Sequence, residues 1–170
     1  MKFRLGGSRR VHDGHCSGGS RSLAAVFVLV LAAGLVALVP SPAQALGACS
    51  NYTYLRYPSG TQLHVPSIGK NTRKVNCILG RGNMGEGVKA LQQALWACYG
   101  QNIAIDSDFG PATQNAVKNA QRYINSQWGS NLAVDGVYGP ATREHFYFPD
   151  FTGGLKRGAE HCTHYWPDLG

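Results

Sequence analysis

The residue types best suited to chemistry gather near the C-terminus, where His161-Cys162-Thr163-His164 follows His145. Cysteine and histidine at such spacing are zinc-ligand types, and a free thiolate beside a histidine is the core of a cysteine peptidase. Two carboxylates facing each other across a cleft would instead hydrolyse a glycosidic bond. Each reading meets an obstacle. A catalytic zinc needs three protein ligands on a scaffold, and this cluster falls in a tail expected to be loosely held. Cys162 also belongs to the set Cys49, Cys77, Cys98 and Cys162, an even number that an exported chain oxidises into two bridges. The carboxylates from residue 46 onward are Glu86, Asp106, Asp108, Asp135, Glu144, Asp150, Glu160 and Asp168. The first five suit helix starts, turns or helix surfaces and the others lie in the tail. The sequence therefore argues against an enzyme and implies neither metal nor cofactor.

The elements that position these residues begin after a targeting segment. Residues 1–22 carry Lys2, Arg4, Arg9, Arg10 and Arg21 against Asp13, and an apolar run from Leu23 to Val39 leads to Ala43-Gln44-Ala45. That order is a secretory signal with an A-x-A cleavage site. Cleavage after Ala45 leaves residues 46–170, one domain's worth of chain, with no stable membrane span. Arg9-Arg10 as a twin-arginine signal and Leu46-Gly47-Ala48-Cys49 as a lipid-attachment site are the rival readings. Lipidation of Cys49 would strand one thiol, and cysteine parity favours secretion with two disulfides.

Residues 46–78 form an N-terminal arm rich in Tyr, Ser, Pro, Gly and Thr, in which Tyr52, Tyr54, Tyr57, Leu63 and Val65 suit one or two short strands. From Leu79 a helical pattern takes over. Val88, Leu91, Leu95 and Cys98 share one helix face, Glu86 favours the dipole at its start, and Gly100 closes it. A second helix begins at Pro111 and ends near Gly129. Ala116, Val117, Ala120, Ile124 and Trp128 (or Gln127) mark its buried stripe, and Thr113 is placed to bond a free backbone donor. The unit Asp106-Ser107-Asp108-Phe109-Gly110-Pro111-Ala112-Thr113 then returns 29 residues later as Asp135-Gly136-Val137-Tyr138-Gly139-Pro140-Ala141-Thr142. It opens a short third helix from Pro140 to about Phe146. Two copies are too few for a solenoid and read as equivalent corners of one small bundle.

Leu79-x-x-Gly82-x-x-Gly85-x-x-Val88-x-x-Leu91-Gln92, followed by Asp106, Phe109-Gly110-Pro111-x-Thr113, Ala116-Val117 and Gln121, then Asp135-Gly136-x-x-Gly139-Pro140-x-Thr142, resembles the peptidoglycan-binding domain 1 family. The resemblance covers residues 79–148 and leaves out the arm and the tail, 149–170. It implies an all-α fold, a three-helix bundle with an irregular, disulfide-tethered arm and tail. It also implies a protein that docks on bacterial wall peptidoglycan, often as an accessory to a wall hydrolase. Ser107 departs from the family's Gly and Ala120 from its Phe. A wall glycan needs aromatic platforms and a few fixed polar groups. On the matching positions these are Phe109, Gly110, Thr113 and Gln121 at one corner, Tyr138 and Thr142 at the other, and Gln92 nearby, with Tyr123 and Trp128 as outer aromatics.

Residues 46–170 hold eleven Lys and Arg against eight Asp and Glu, so the chain's net charge of +7 falls to +3 there. Only Lys70, Arg73, Lys74 and Arg81 form a loose basic cluster. That charge excludes a nucleic-acid partner and suits steering toward an anionic wall polymer. Four cysteines allow three pairings. Cys77–Cys98 with Cys49–Cys162 is the expected set, stapling arm to helix and arm to tail. Secretion, cell-wall association and peptidoglycan as partner complete the expectation. A wall hydrolase or inhibitor is the alternative partner, contacting the aromatic flanks of Tyr52, Tyr54, Tyr57, Phe148, Phe151, Tyr165 and Trp166.

Overall fold

In the computed structural model, residues 46–165 are described; the signal segment expected at 1–45, and Trp166 and Asp168 in the tail, lie outside the described residues. Two strands come first, β1 (Asn51–Arg56) and β2 (Gln62–Ser67), paired antiparallel with Tyr54 opposite His64. Thr53, Leu63 and Val65 face inward and Tyr54 and Arg56 outward, so a period of two separates core from solvent. Helix α1 (Glu86–Cys98) and helix α2 (Pro111–Trp128) follow, then the short α3 (Pro140–Glu144). The chain ends in a second antiparallel pair, β3 (Tyr147–Pro149) with β4 (Cys162–His164).

This arrangement corrects the all-α expectation. The helices form the segment that the sequence identified, but two small antiparallel sheets flank them. The tail is part of the folded body: β4 pairs with β3, and Phe146 and Phe148 lie fully buried beside it. The third helix also stops at Glu144, two residues short of expectation, because the chain turns into β3.

Helix α1 packs against both sheets and α2. Its Val88, Leu91 and Leu95 meet Leu63 and Val65 from β2, Val117 and Ile124 from α2, Phe148 from β3, and Phe109, Tyr138 and Phe146 from the connecting segments in one core. Each such side chain taken fully out of water contributes about 1.5–3 kcal/mol. The arm approaches α1 so closely that no side chain fits between them. A Cβ on Gly87 would lie 2.1 Å from the Cys49 carbonyl oxygen. A glycine inside a helix costs roughly 0.5–1 kcal/mol, and here it makes room for backbone-to-backbone contact.

The disulfides join Cys49 to Cys77 and Cys98 to Cys162, in place of the expected Cys77–Cys98 and Cys49–Cys162. The reason is visible in the backbone. Cys49 N–H donates to the Ile78 carbonyl at 3.1 Å and Ile78 N–H to Gly47 at 3.0 Å, so the arm's two ends lie side by side. The second bridge ties β4 to the C-terminal end of α1. The bridges span 28 and 64 residues, and loop closure assigns each about 4 kcal/mol. Cys49 is buried and bonded to Cys77, in line with secretion with two disulfides rather than lipid attachment.

Candidate functional site

The repeated octad builds two matching knots of hydrogen bonds. Gln92, fully buried on α1, donates through Nε2 toward Asp106 Oδ1 at 2.7 Å, the Asp108 carbonyl at 2.9 Å and Thr113 Oγ1 at 3.1 Å. Its Oε1 accepts from Ser107 N–H at 2.9 Å. Twenty-nine residues on, Gln121 on α2 does the same with Asp135 Oδ1 (2.9 Å), the Val137 carbonyl (3.0 Å), Thr142 Oγ1 (3.2 Å) and Gly136 N–H (3.0 Å). Two amide hydrogens serve three acceptors in each knot, so both donor hydrogens of the glutamine are used and its carbonyl oxygen accepts one bond. Each Asp also accepts from the backbone two residues on, Asp108 N–H at 3.0 Å and Val137 N–H at 2.8 Å. Those bonds close a turn, and together with the Gln92 bond they hold the Asp106 carboxyl below its usual range.

These knots reassign most of the expected ligand residues. Gln92, Phe109, Thr113, Gln121, Tyr138 and Thr142 are buried; the glutamine and threonine polar groups are turned to one another, and the buried Tyr138 hydroxyl has no hydrogen-bond partner among the described residues. Gly110 is half-buried at the start of α2. Thr113 and Thr142 do not cap a helix. Each donates instead to a carbonyl five residues upstream, Asp108 and Val137, at 3.3 Å. Of the expected set, Tyr123 stands out at 49% exposed, and its neighbour Trp128 is 48% exposed rather than part of the buried stripe.

Tyr123 and Trp128 anchor a row of rings along the outer side of α2. Tyr99 meets Tyr123 edge-on at 6.0 Å, Tyr123 meets Trp128 edge-on at 5.8 Å, and Trp128 stacks on Tyr147 at 5.3 Å. Tyr147 in turn meets His164 at 5.3 Å. Tyr147 N–H donates to the Tyr99 hydroxyl at 2.9 Å, which fixes β3 against α1. Burial pushes the Tyr99 hydroxyl's pKa upward, so it stays protonated. Three adjoining depressions follow this row and share lining residues. The first, about 220 Å³, includes Gln101, Asn119 and Tyr123. The second, about 170 Å³, has the Cys98–Cys162 bridge among its walls. The third and largest, about 490 Å³, opens between Trp128, Tyr147, Glu144, His145 and His164.

The chemistry of this groove is that of a platform. Ring faces accept the CH-rich face of a sugar, and polar groups flank them at both ends. Gln101 Oε1 accepts from Asn119 Nδ2 at 2.9 Å, and Asn119 Oδ1 accepts from Arg122 at 3.0 Å. At the other end Ser130 Oγ lies 3.5 Å from His145 Nδ1, the outer limit of a hydrogen bond. No carboxylate is hydrogen-bonded to that imidazole among the described residues. Burial and the nearby His145 hold His164 below its ordinary pKa. The two thiols beside the groove are joined to each other, and no three metal-ligand side chains converge among the described residues.

The arm and tail aromatics proposed as a protein-contact patch are largely spent on packing. Tyr57, Phe148 and Tyr165 are buried, and Phe151 stacks on His64 at 3.7 Å. Arg143 bridges arm and bundle, donating to the Val75 carbonyl at 2.6 Å and to Asn76 Oδ1 at 3.2 Å. Sequence reasoning passed over Arg143 and Tyr147. The only trace of Tyr147 in the sequence is its place just after the short third helix.

Residues 84–145 match a family described as "Putative peptidoglycan binding domain". Among solved structures, the chain is 32% identical to a peptidoglycan-binding protein from Clostridioides difficile, crystallised with glutamine hydroxamate. That likeness covers 54% of this chain and 53% of the other, so it spans about half the length of that protein, with a TM-score of 0.35. No curated protein matches the chain. No helix among the described residues is long and apolar enough to cross a membrane. The segment that matches the peptidoglycan-binding family holds α1, α2, α3 and both glutamine knots.

Proposed function

We propose that this protein is an exported, non-catalytic binder of cell-wall peptidoglycan, holding a glycan strand against the ring row of Tyr123, Trp128 and Tyr147. The observation that carries the reading is that row. Two large aromatics, each about half exposed, lie in an open groove on a domain of a peptidoglycan-binding family. Exposed rings at that density are costly to leave in water and are the usual mark of a recognition surface. Export is supported by the charged, apolar and A-x-A order of residues 1–45 and by two intramolecular disulfides, which persist in oxidising compartments. Binding without cleavage is supported by the placement of the carboxylates: Asp106 and Asp135 are committed to the glutamine knots, and Glu144 has no second acid across the groove.

The test is co-sedimentation of the purified, oxidised protein with protein-free sacculi, with released muropeptides followed in the same tubes. Protein in the pellet with nothing released is the expected result. Protein left in the supernatant contradicts wall binding, and released fragments contradict the non-catalytic reading.

A further inference from the structure

The charges of the chain are divided unevenly. Residues 46–85 contain five Lys and Arg and no carboxylate, whereas residues 86–170 contain six against eight Asp and Glu. Four of these five cations, Arg56, Lys70, Arg73 and Lys74, lie in the arm and gather at one surface. Strand β1 turns Tyr54 and Arg56 outward, with Tyr52 on the same side. The turn carrying Lys70, Arg73 and Lys74 is fastened to the edge of β1: Asn71 N–H donates to the Tyr52 carbonyl and Tyr54 N–H to Asn71 Oδ1, both at 3.2 Å. His64 stiffens the rings from β2, stacked on Tyr52 at 4.6 Å and on Phe151 at 3.7 Å. The four cations are exposed, and none forms an ion pair among the described residues. Two carboxylates that border the hairpin have partners of their own, although the Glu86 charge also acts on the Tyr52 hydroxyl. Glu86 pairs with Lys89 at 3.7 Å, and Asp150 accepts from Gln62 N–H at 3.0 Å and from Thr152.

We propose that the β1–β2 hairpin and its basic turn form a second binding surface, for a phosphodiester-linked anionic glycan of the wall. None of the four cations is paired within the described residues, so the face keeps its positive charge for an anionic ligand. The rings beside the cations ask for sugar faces, and the cations ask for a charge repeated along the same strand. A phosphodiester-linked glycan presents both together. A peptidoglycan strand carries its carboxylates on side peptides, away from the sugar faces. The surface lies outside residues 84–145 and is separate from the groove, so the protein would hold two wall polymers at once.

The test is a set of binding isotherms on sacculi before and after hydrofluoric acid removes the phosphodiester polymers. The protein should bind intact sacculi roughly tenfold more tightly than stripped ones at low ionic strength. That advantage should vanish as salt rises from about 0.1 M to about 1 M and the screening length falls from about 10 Å to about 3 Å. The combined variant Arg56→Gln, Lys70→Gln, Arg73→Gln and Lys74→Gln, with an unchanged melting temperature, should lose the advantage and still bind stripped sacculi. Trp128→Ala should do the reverse. Equal binding of the wild type to both sacculi, or an undiminished advantage in the charge variant, overturns the proposal. Competition by single-stranded nucleic acid as strong as by a soluble phosphodiester glycan overturns the assignment of the ligand. Loss of binding to stripped sacculi alone would count against the groove and leave this surface standing.

Discussion

Replacing Gln121 with Ala separates a residue that holds the fold from one that touches a ligand. In the structure the substitution removes the acceptor of Gly136 N–H, a buried donor whose hydrogen bond goes to Gln121 Oε1. An orphaned buried donor costs about 1–3 kcal/mol. The Val137 carbonyl keeps its bond from Thr142, and Asp135 keeps Val137 N–H, so those groups lose strength without being stranded. Lost hydrogen bonds of net worth near 1 kcal/mol each and the void left by the amide bring the expected loss to about 3–5 kcal/mol. For a domain of this size that corresponds to a melting temperature lower by about 10–20 °C. Thermal unfolding of the oxidised protein by circular dichroism reads it directly. Gln92→Ala, the equivalent change 29 residues upstream, should give a loss of the same order and should also raise the Asp106 pKa, because Gln92 is one of the groups that lowers it. Below its melting temperature the Gln121→Ala protein should still bind sacculi. A melting temperature within about 2 °C of wild type, together with loss of wall binding, would refute the structural role and return Gln121 to the ligand site.

Three further outcomes follow from the same geometry. Ser107 adopts φ 66, the left-handed region that its repeat partner Gly136 occupies at φ 76; Ser107→Gly should therefore stabilise the protein by about 0.5–1 kcal/mol once the added flexibility of glycine is subtracted, and a drop in melting temperature would contradict this. Gly87→Ala, which in an ordinary helix gains stability, should instead cost about 1–3 kcal/mol by driving a Cβ onto the Cys49 carbonyl. It should also speed amide exchange in residues 49–53, and a stabilised protein would mean that the arm does not dock as described. Desolvation lowers the His64 pKa from 6.5 to about 4, so the unfolded chain binds a proton there more readily than the folded one. Stability from His64 is therefore full above pH 6.5 and is lost as pH falls toward 4. His64→Phe should flatten that part of the stability profile, and an unchanged slope would locate the effect elsewhere.

Much of the bundle is legible in the sequence because its signals are repeated. The Gly-Pro starts at Pro111 and Pro140 recur 29 residues apart, and the stripe Ala116, Val117, Ala120, Ile124 follows a helical period. The glutamine knots leave a trace as well: Gln92, Asp106 and Thr113 stand at the same spacing as Gln121, Asp135 and Thr142. In the sequence that trace suits a pair of binding corners, because polar residues in a repeat look alike whether they face a ligand or one another. Burial decides between the two, and burial is set by the tertiary packing of α1 on both loops. Strands β3 and β4, three residues each, are too short for an alternation to show. They rest on Phe148 packing and the Cys98–Cys162 bridge, both long-range features. The disulfide pairing was equally hidden, since Cys49 and Cys77 meet only when the arm folds back on itself. Trp128 falls at the end of the α2 stripe, where a small rotation decides between core and surface, and it lies at the surface.

The most direct measurement is the affinity of Trp128→Ala and Tyr123→Ala for protein-free sacculi stripped of other wall polymers, with melting temperatures recorded beside it. Both rings are about half exposed, so their removal should shift the melting temperature only slightly. Affinity should fall about 10- to 100-fold for each, the range expected for an aromatic anchor in a recognition surface. Undiminished affinity in both variants, with the fold intact, would contradict the groove as the wall-binding site.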